Sequence, residues 1–299
     1  MLINQVSQAT GLTKKAIEYY TIEGLISPLV LENGYRDFSE KDIEVLNKIS
    51  VLRKLDISVE EIKTILSDKS NTALQAISVR KELNLQRESA KNAILGKLSS
   101  GESYSKISEE LQVIEKSKTI TEKLLETFPG YWGRFICLHF ARFLNEPVKT
   151  ESQQAAYETI ITFLDNTPPI TLPEDLQEYL NEGTKDIGTE QIIEIVENTH
   201  RAMENPDAFL SEKKDVIEQY LAFKQSEDYK QSPAYRTMGL MKQFNSTSGY
   251  YDIFIPALKQ LSSSYSEYCS QMEIANEKLL AQYPEIEKMT LPDKSNSPK

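Results

Sequence analysis

The sequence predicts a mostly α-helical protein: a winged helix-turn-helix domain, a long helix suited to pairing with a second copy, and an all-helical carboxy-terminal region. Three observations carry this. Residues 2–66 break into helix, turn, helix, β-hairpin, helix, helix, with cap or turn residues between them. From Thr72 to Leu98 the only interruption is Gly96, and a thin apolar stripe recurs at three- and four-residue spacing. Beyond about residue 105, helical segments follow one another without a strand-like run.

Leu2, Ile3 and Val6 open the first apolar face, and Thr10-Gly11 closes that helix. Thr13 caps a second helix from Lys14 to about Glu23, which Gly24 ends. After Pro28 the segment SPLVLENGYRDF is extended, and its Asn33-Gly34 pair favours a two-residue hairpin turn. Ser39 caps the next helix with Asp42 three residues on, and Ser58 caps another with Glu61 in the capping-box position. Ala76, Val79, Leu83, Gln86, Ala90 and Ala93 form the stripe of the long helix. A stripe so thin is marginal on a lone helix, so a homodimer seam is the expected use. The expected domains are 1–70, 71–104 for the pairing helix and its connector, and 105–290, followed by a disordered tail at 291–299. Within 105–290, helices are expected at about 105–127, 131–145, 151–164, 173–182, 189–204, 207–225, 232–245 and 252–282, with NTPPITLP at 166–173 dividing them.

Composition narrows the function. The 299 residues carry a formal charge of −11, with 39% hydrophobic and 26% charged side chains, which suits an ordinary soluble chain and argues against blanket attraction to nucleic acid or membrane. Cys137 and Cys269 are too few for a disulfide framework, and MLINQVSQATGL lacks the pattern of a signal peptide. FICLHFARFL at 135–144 is too short to span a bilayer, so a cytoplasmic location is expected. No HExxH, P-loop or GxSxG is present, so no catalytic residue and no cofactor is expected. Cys137 and His139 are two apart and point to different helix faces, and Cys269 and His200 have no spaced partners, so no metal site is expected.

The stretch LTKKAIEYYTIEGLISP, the GYRDF wing, the Ser-capped helix after it and LRKLDISVEEIK occur in the order that resembles the DNA-binding domain of the MerR family of transcriptional regulators. The resemblance covers roughly residues 2–68 and continues by position into the helix after 72. It implies a homodimer joined by an antiparallel coiled coil, with two winged domains on successive half-sites of double-stranded promoter DNA. It further implies that an effector bound to the carboxy-terminal region makes the dimer distort an overlong promoter spacer, so that RNA polymerase engages both promoter elements. Metal-sensing members place ligand cysteines at the start of the dimerisation helix, and SNTALQA at 70–76 has none. Two departures stand out: Glu18 occupies a phosphate-facing position where the family commonly has Arg, and Asp56 stands where Gly is frequent. Residues 1–70 carry 9 Lys and Arg against 11 Asp and Glu, a net of −2, which leaves −9 of the total −11 for the rest. Phosphate affinity therefore rests on a few placed cations.

Those are Lys14 and Lys15 at the amino end of the recognition helix, with Thr13 offering its hydroxyl. Tyr19 and Tyr20 cannot face the same way, so one packs in the core and the other lies against the DNA backbone; the resemblance implies the DNA role for Tyr19 and the core role for Tyr20. Tyr35 and Arg36 follow the hairpin turn, and Arg53 and Lys54 are expected in the loop before Ser58. Glu18 either turns away to pair with a neighbour such as Lys14, four residues back, or marks a slightly different docking. In the carboxy-terminal region, aromatic residues suggest a pocket for a small hydrophobic or cationic effector, with Tyr131, Trp132, Phe135, Tyr250, Tyr251 and Tyr265 as candidates. The alternative is a helical protein-interaction module without a ligand pocket.

Overall fold

The first helix ends where glycine takes the left-handed backbone. In the computed structural model, which describes residues 1–68, 71–128 and 130–290, α1 (Ile3–Thr10) stops at Gly11, whose φ is 68° and whose N–H donates to Ser7 O. Thr13 Oγ1 caps α2 (Lys14–Ile22) by accepting from the Ala16 N–H at 3.2 Å. Strands β1 (Leu29–Val30) and β2 (Arg36–Asp37) pair antiparallel, Leu29 opposite Asp37 and Val30 opposite Arg36. Helices α3 (Glu40–Lys54) and α4 (Val59–Ser67) both open on the expected capping boxes, Ser39 with Asp42 and Ser58 with Glu61. Val6, Ile17, Tyr20, Phe38, Leu46 and Ile62 are among the side chains buried beneath these elements.

The hairpin differs from its expected form. The Gly34 N–H donates to Leu31 O at 2.9 Å, which puts Glu32 and Asn33 in the centre of the turn and Gly34 after them at φ 80°. Among the described residues only Asp56 and Asn71 pair a side chain with positive φ, so Asn33 does not start a type I′ turn. Its Oδ1 accepts from the Tyr35 N–H at 3.1 Å, a local bond that favours the longer loop. Arg53 and Lys54 are also displaced from expectation: they are the last two residues of α3 rather than part of a loop. The helix runs on to Lys54 because a Schellman motif closes it. The Ile57 N–H donates to Leu52 O and the Asp56 N–H to Arg53 O, both at 3.1 Å, with Asp56 at φ 55° and Leu52 and Ile57 buried.

The chain divides into two compact units, Met1–Leu74 and Gln75–Lys299. The long helix α5 (Thr72–Ser99) has 28 residues and supplies the start of the second unit. Its stripe is not uniform. Val79 and Leu83 are buried in the main core of their own chain, whereas Gln86, Ala90, Ala93 and the neighbouring Leu85 and Leu95 are exposed. Only the carboxy-terminal half of the expected seam is open, because the helical core has covered the other half.

That core is continued by α6 (Tyr104–Thr127), α7 (Gly130–Ala141), α8 (Glu151–Asn166) and α10 (Thr189–Glu204) and closed by side chains from Phe254 to Cys269, whereas α9 (Glu174–Thr184) supplies none of its buried residues. The remaining helices are α11 (Pro206–Glu212), α12 (Lys214–Gln225), α13 (Glu227–Lys230), α14 (Pro233–Thr247), α15 (Ile255–Leu261), α16 (Ser263–Gln282) and α17 (Glu285–Thr290), with a π-turn at Tyr250–Phe254 before α15. Two expected helices are thus broken. The one at 207–225 is split at Lys213, and the one at 252–282 begins in the π-turn and is interrupted at Ser262. Helix α7 packs between α6 and α10, and α8 lies against α6 and α15. Phe128, Phe140, Phe143, Phe163 and Phe254 fill the space they share. No helix among the described residues is long and apolar enough to cross a membrane. The tail 291–299, expected to be disordered, lies outside the described residues.

Candidate nucleic-acid interface and effector groove

In the first unit α2 presents Thr13, Lys14, Lys15 and Tyr19 to solvent and turns Ile17 and Tyr20 inward. Tyr19 is 45% exposed and Tyr20 6%, their ring centroids 5.7 Å apart. Lys14 and Lys15 occupy the first turn, where the unpaired helix N–H groups also favour an anion. Glu18 is exposed, and among the described residues no ion pair joins it to Lys14. Of the two alternatives for Glu18, pairing with Lys14 is therefore not formed.

On the hairpin, Tyr35 is exposed and Arg36 half-buried in β2. At the end of α3, Lys54 is exposed, while Arg53 donates through Nη1 to Ile57 O at 2.7 Å and so braces the turn into α4. An Arg has further donors, and that bond fixes the guanidinium rather than consuming it. Lys63 of α4 bonds Glu23 at 2.8 Å, which ties α4 to the end of α2 and raises the lysine pKa through that hydrogen bond. The eight candidates thus sit on three elements: the amino end of α2, the hairpin, and the carboxyl end of α3.

In the second unit the six aromatic candidates separate. Tyr131, Trp132 and Phe135 are half-buried on α7, with ring centroids 5.8–6.5 Å apart. Gly130 (φ 73°) starts this helix, and Gly133 lets it pass so close to Phe128 that an added Cβ would lie 1.3 Å from Phe128 O. Tyr250 contacts Phe128 and Phe254, Tyr251 is exposed, and Tyr265 is a core residue at 4% exposure, ringed by Phe140, Phe143 and Tyr268. Burial raises the phenol pKa values of Tyr131, Tyr250 and Tyr265, so all three stay neutral hydrogen-bonding groups at physiological pH. Burial likewise pushes the Cys137 thiol up to about 12, and its Sγ–H donates to Thr121 O.

Sequence reasoning missed one concavity. A groove of about 820 Å³ runs between α8 and the end of α14 with the π-turn beside it. Phe163, Phe244 and Ile253 give it apolar surface, and Thr159, Thr162, Asn166, Thr167, Thr247 and Ser248 supply hydrogen-bonding groups. Glu158 is the one charged side chain in its lining, and it accepts from Gln154 Nε2 at 2.8 Å. None of the six aromatic candidates lines it. The Thr and Asn residues sit on a helix whose pattern reads as an ordinary amphipathic one, so no local signal marks them.

A polar seam also reaches the base of α5. Gln75 Nε2 donates to Lys185 O at 3.3 Å, and the Ser78 and Thr189 hydroxyls bond at 2.9 Å, so the connector between α9 and α10 is fastened to α5. The same connector is held from the other side by Arg134, whose Nη1 donates to Ile187 O at 2.9 Å.

Comparison with known proteins divides the chain as its geometry does. Residues 1–69 match the family model described as MerR HTH family regulatory protein. Over 68 residues the chain is 40% identical to heavy metal-dependent transcription regulator 2 of Rhizobium meliloti (strain 1021), covering 22% of this chain and 46% of that protein. It is 40% identical over 62 residues to the HTH-type transcriptional regulator CueR of Salmonella typhi, 20% of this chain and 45% of the relative. With HmrR of Rhizobium leguminosarum bv. viciae it shares 40% identity over 67 residues, 22% and 52% of the two chains. The chain therefore spans about half the length of these curated relatives. No solved structure matches the chain.

Proposed function

We propose, from the premise that residues 1–69 are a region of the MerR HTH family, that the chain is a DNA-binding transcriptional regulator controlled through its carboxy-terminal helical unit. The observation that carries the DNA reading is the exposed, Thr13-capped start of α2, where Lys14, Lys15 and Tyr19 present cations and a ring at a helix amino end. The active form is a homodimer, paired through the open half of the α5 stripe around Gln86, Ala90 and Ala93 as an antiparallel coiled coil. Its two winged units take successive half-sites of a near-palindromic promoter. Distortion of an overlong spacer, driven by the effector state, then lets RNA polymerase engage. Footprinting upstream of the protein's own gene and its neighbours tests this: protection of paired half-sites is expected, and no protected site overturns the reading.

For the control step we propose a small aromatic or lipophilic effector, neutral or cationic, bound in the groove between α8 and α14. Its volume lies within the range of small-molecule sites, and it combines five apolar side chains, several hydroxyls and one carboxylate. A panel of lipophilic dyes and amines is expected to raise the melting temperature of the full chain, and Phe163→Ala with Glu158→Gln to remove the shift. Cys137 and Cys269 are both buried, so metal sensing is not part of this reading.

A second reading, docking of a partner protein, is favoured by α12. Val216, Tyr220 and Phe223 are exposed at i, i+4 and i+7, one apolar face of that helix. Loss of transcriptional response on replacing all three with Ser, with effector binding intact, would favour it.

A further inference from the structure

Arg134 is the largest fully buried side chain among the described residues, 1% exposed, on the first turns of α7. Guanidinium stays charged in a protein, so burial cannot be relieved by losing a proton. A buried cation is ordinarily matched by a carboxylate, yet among the described residues no ion pair includes Arg134. Its contacts are Ile187 O, which accepts from Nη1, and the Tyr131 ring, 5.8 Å from Cζ. No protein group accepts from Nε or Nη2.

The two orphan atoms form one edge. Nε and Nη2 are the side of the guanidinium that grips a carboxylate through two parallel hydrogen bonds. Nη1, at the other end, is the donor already committed to the connector. Among the described residues, the buried side-chain nitrogens or oxygens without a partner are these two and Trp132 Nε1, all on one turn of α7. That turn therefore carries donors in excess of acceptors, which is the polarity of a site awaiting an anion. The ring of Tyr131 beneath Arg134, itself stacked with Phe135, offers a planar apolar surface next to the charge.

We propose that Arg134 is the receptor for the carboxylate of an aromatic small molecule, which takes the Nε–Nη2 edge while its ring lies against Tyr131. This site goes beyond the groove reading and is separate from it, since the groove's one charged side chain is Glu158 and repels an anion. The connector residues 185–188, of which only Ile187 is half-buried, are joined to the guanidinium at its other end, through Ile187 O on Nη1. Gln75 fastens that connector to α5 through Lys185 O, and Ser78 bonds Thr189 at the start of α10, so Arg134 is linked through Ile187 to a segment tied to α5.

The single tryptophan of the chain is Trp132, two residues away, so its emission reports the site in the full-length protein. Titration with benzoate or phenylacetate is expected to give a saturable change in emission, with benzylamine giving none. Arg134→Met is expected to abolish the change and Arg134→Lys to weaken it at least about tenfold, because ammonium cannot form the paired bonds. Without ligand, Arg134→Met is expected to melt at or above the wild-type temperature, since it removes an unmatched buried charge. A lower melting temperature, or failure to fold, makes Arg134 a structural group and overturns the proposal. An unchanged response in either variant, or no response of the wild type to either carboxylate, overturns it as well. A response to inorganic phosphate alone overturns the carboxylate assignment. None of these outcomes alters promoter footprinting, so the DNA reading stands or falls separately.

Discussion

Asp56 holds a left-handed backbone, φ 55°, that costs an L side chain about 1 kcal/mol relative to glycine. The Schellman bonds around it require that geometry, so Asp56→Gly removes that backbone cost together with the side chain's own interactions, and a rise in melting temperature is expected if the backbone cost is the larger. A drop would mean that the Asp side chain contributes more than its backbone costs. His139 makes a different residue-level prediction. It lies among Phe135, Phe140, Phe143 and Tyr268, and burial, aided by the charges of Arg142 and His200, lowers its pKa to about 4. A base whose folded pKa lies below its unfolded value of about 6.5 is charged first in the unfolded chain. Stability contributed by neutral His139 is thus complete above pH 6.5 and is lost as pH falls from there toward 4. His139→Phe is expected to flatten the melting profile across that window; an unchanged profile would exclude His139 as its source. Cap residues such as Ser39 and Ser58 were legible in the sequence because their partners lie three residues away. Arg134 was not, because its isolation depends on what α9 and α10 fail to bring near it.

At the level of elements, one carboxylate joins the loop between α7 and α8 to the start of α16. Glu146 accepts from the Ser263 N–H at 3.0 Å, the Ser264 N–H at 2.8 Å and the hydroxyls of Ser262, Ser263 and Ser264. Burial acts to raise its pKa, but these hydrogen bonds outweigh it and hold the carboxyl at about 2. A depressed carboxylate pKa stabilises the fold above its unfolded value near 4.3 and ceases to do so as pH falls through 2. Glu146→Gln is therefore expected to cost about 1–2 kcal/mol at pH 7, allowing for solvent screening, with the difference from wild type closing between pH 4 and 2. A constant difference across that range would assign the loss to packing instead. The same scale shows where periodicity stops being informative. Spacing correctly marked Val79 and Leu83 as apolar positions on α5, but it carries no information on which surface covers them. The groove has the same origin: Thr159, Thr162 and Thr247 come together only when the π-turn packs against both α8 and α14.

For the whole molecule, charge is the governing quantity. The chain carries −11, and residues 1–70 contribute −2 of it, so long-range attraction cannot hold the protein on DNA. On the proposed reading, binding comes from short-range contacts made by a few cations, each of which releases about one counterion when it meets a phosphate. Lys14 is exposed in the first turn of α2 and Arg36 is set on β2, so Lys14→Ala and Arg36→Ala are each expected to weaken promoter binding and to lower the slope of log affinity against log salt by about one. The double variant should lose about two. Glu18 supplies the opposite experiment, because it is exposed on the same helix as Lys14 and, among the described residues, no ion pair includes it. If its position faces the DNA backbone, Glu18→Arg exchanges a repulsion for an attraction. Affinity for promoter and for unrelated DNA should then rise together, with a steeper salt slope in both. A change confined to the promoter would instead place Glu18 against base edges. Filter binding from 50 to 200 mM salt on both DNAs reads all four variants on one scale. Unchanged affinity and slope in every one would remove the amino end of α2 from the interface.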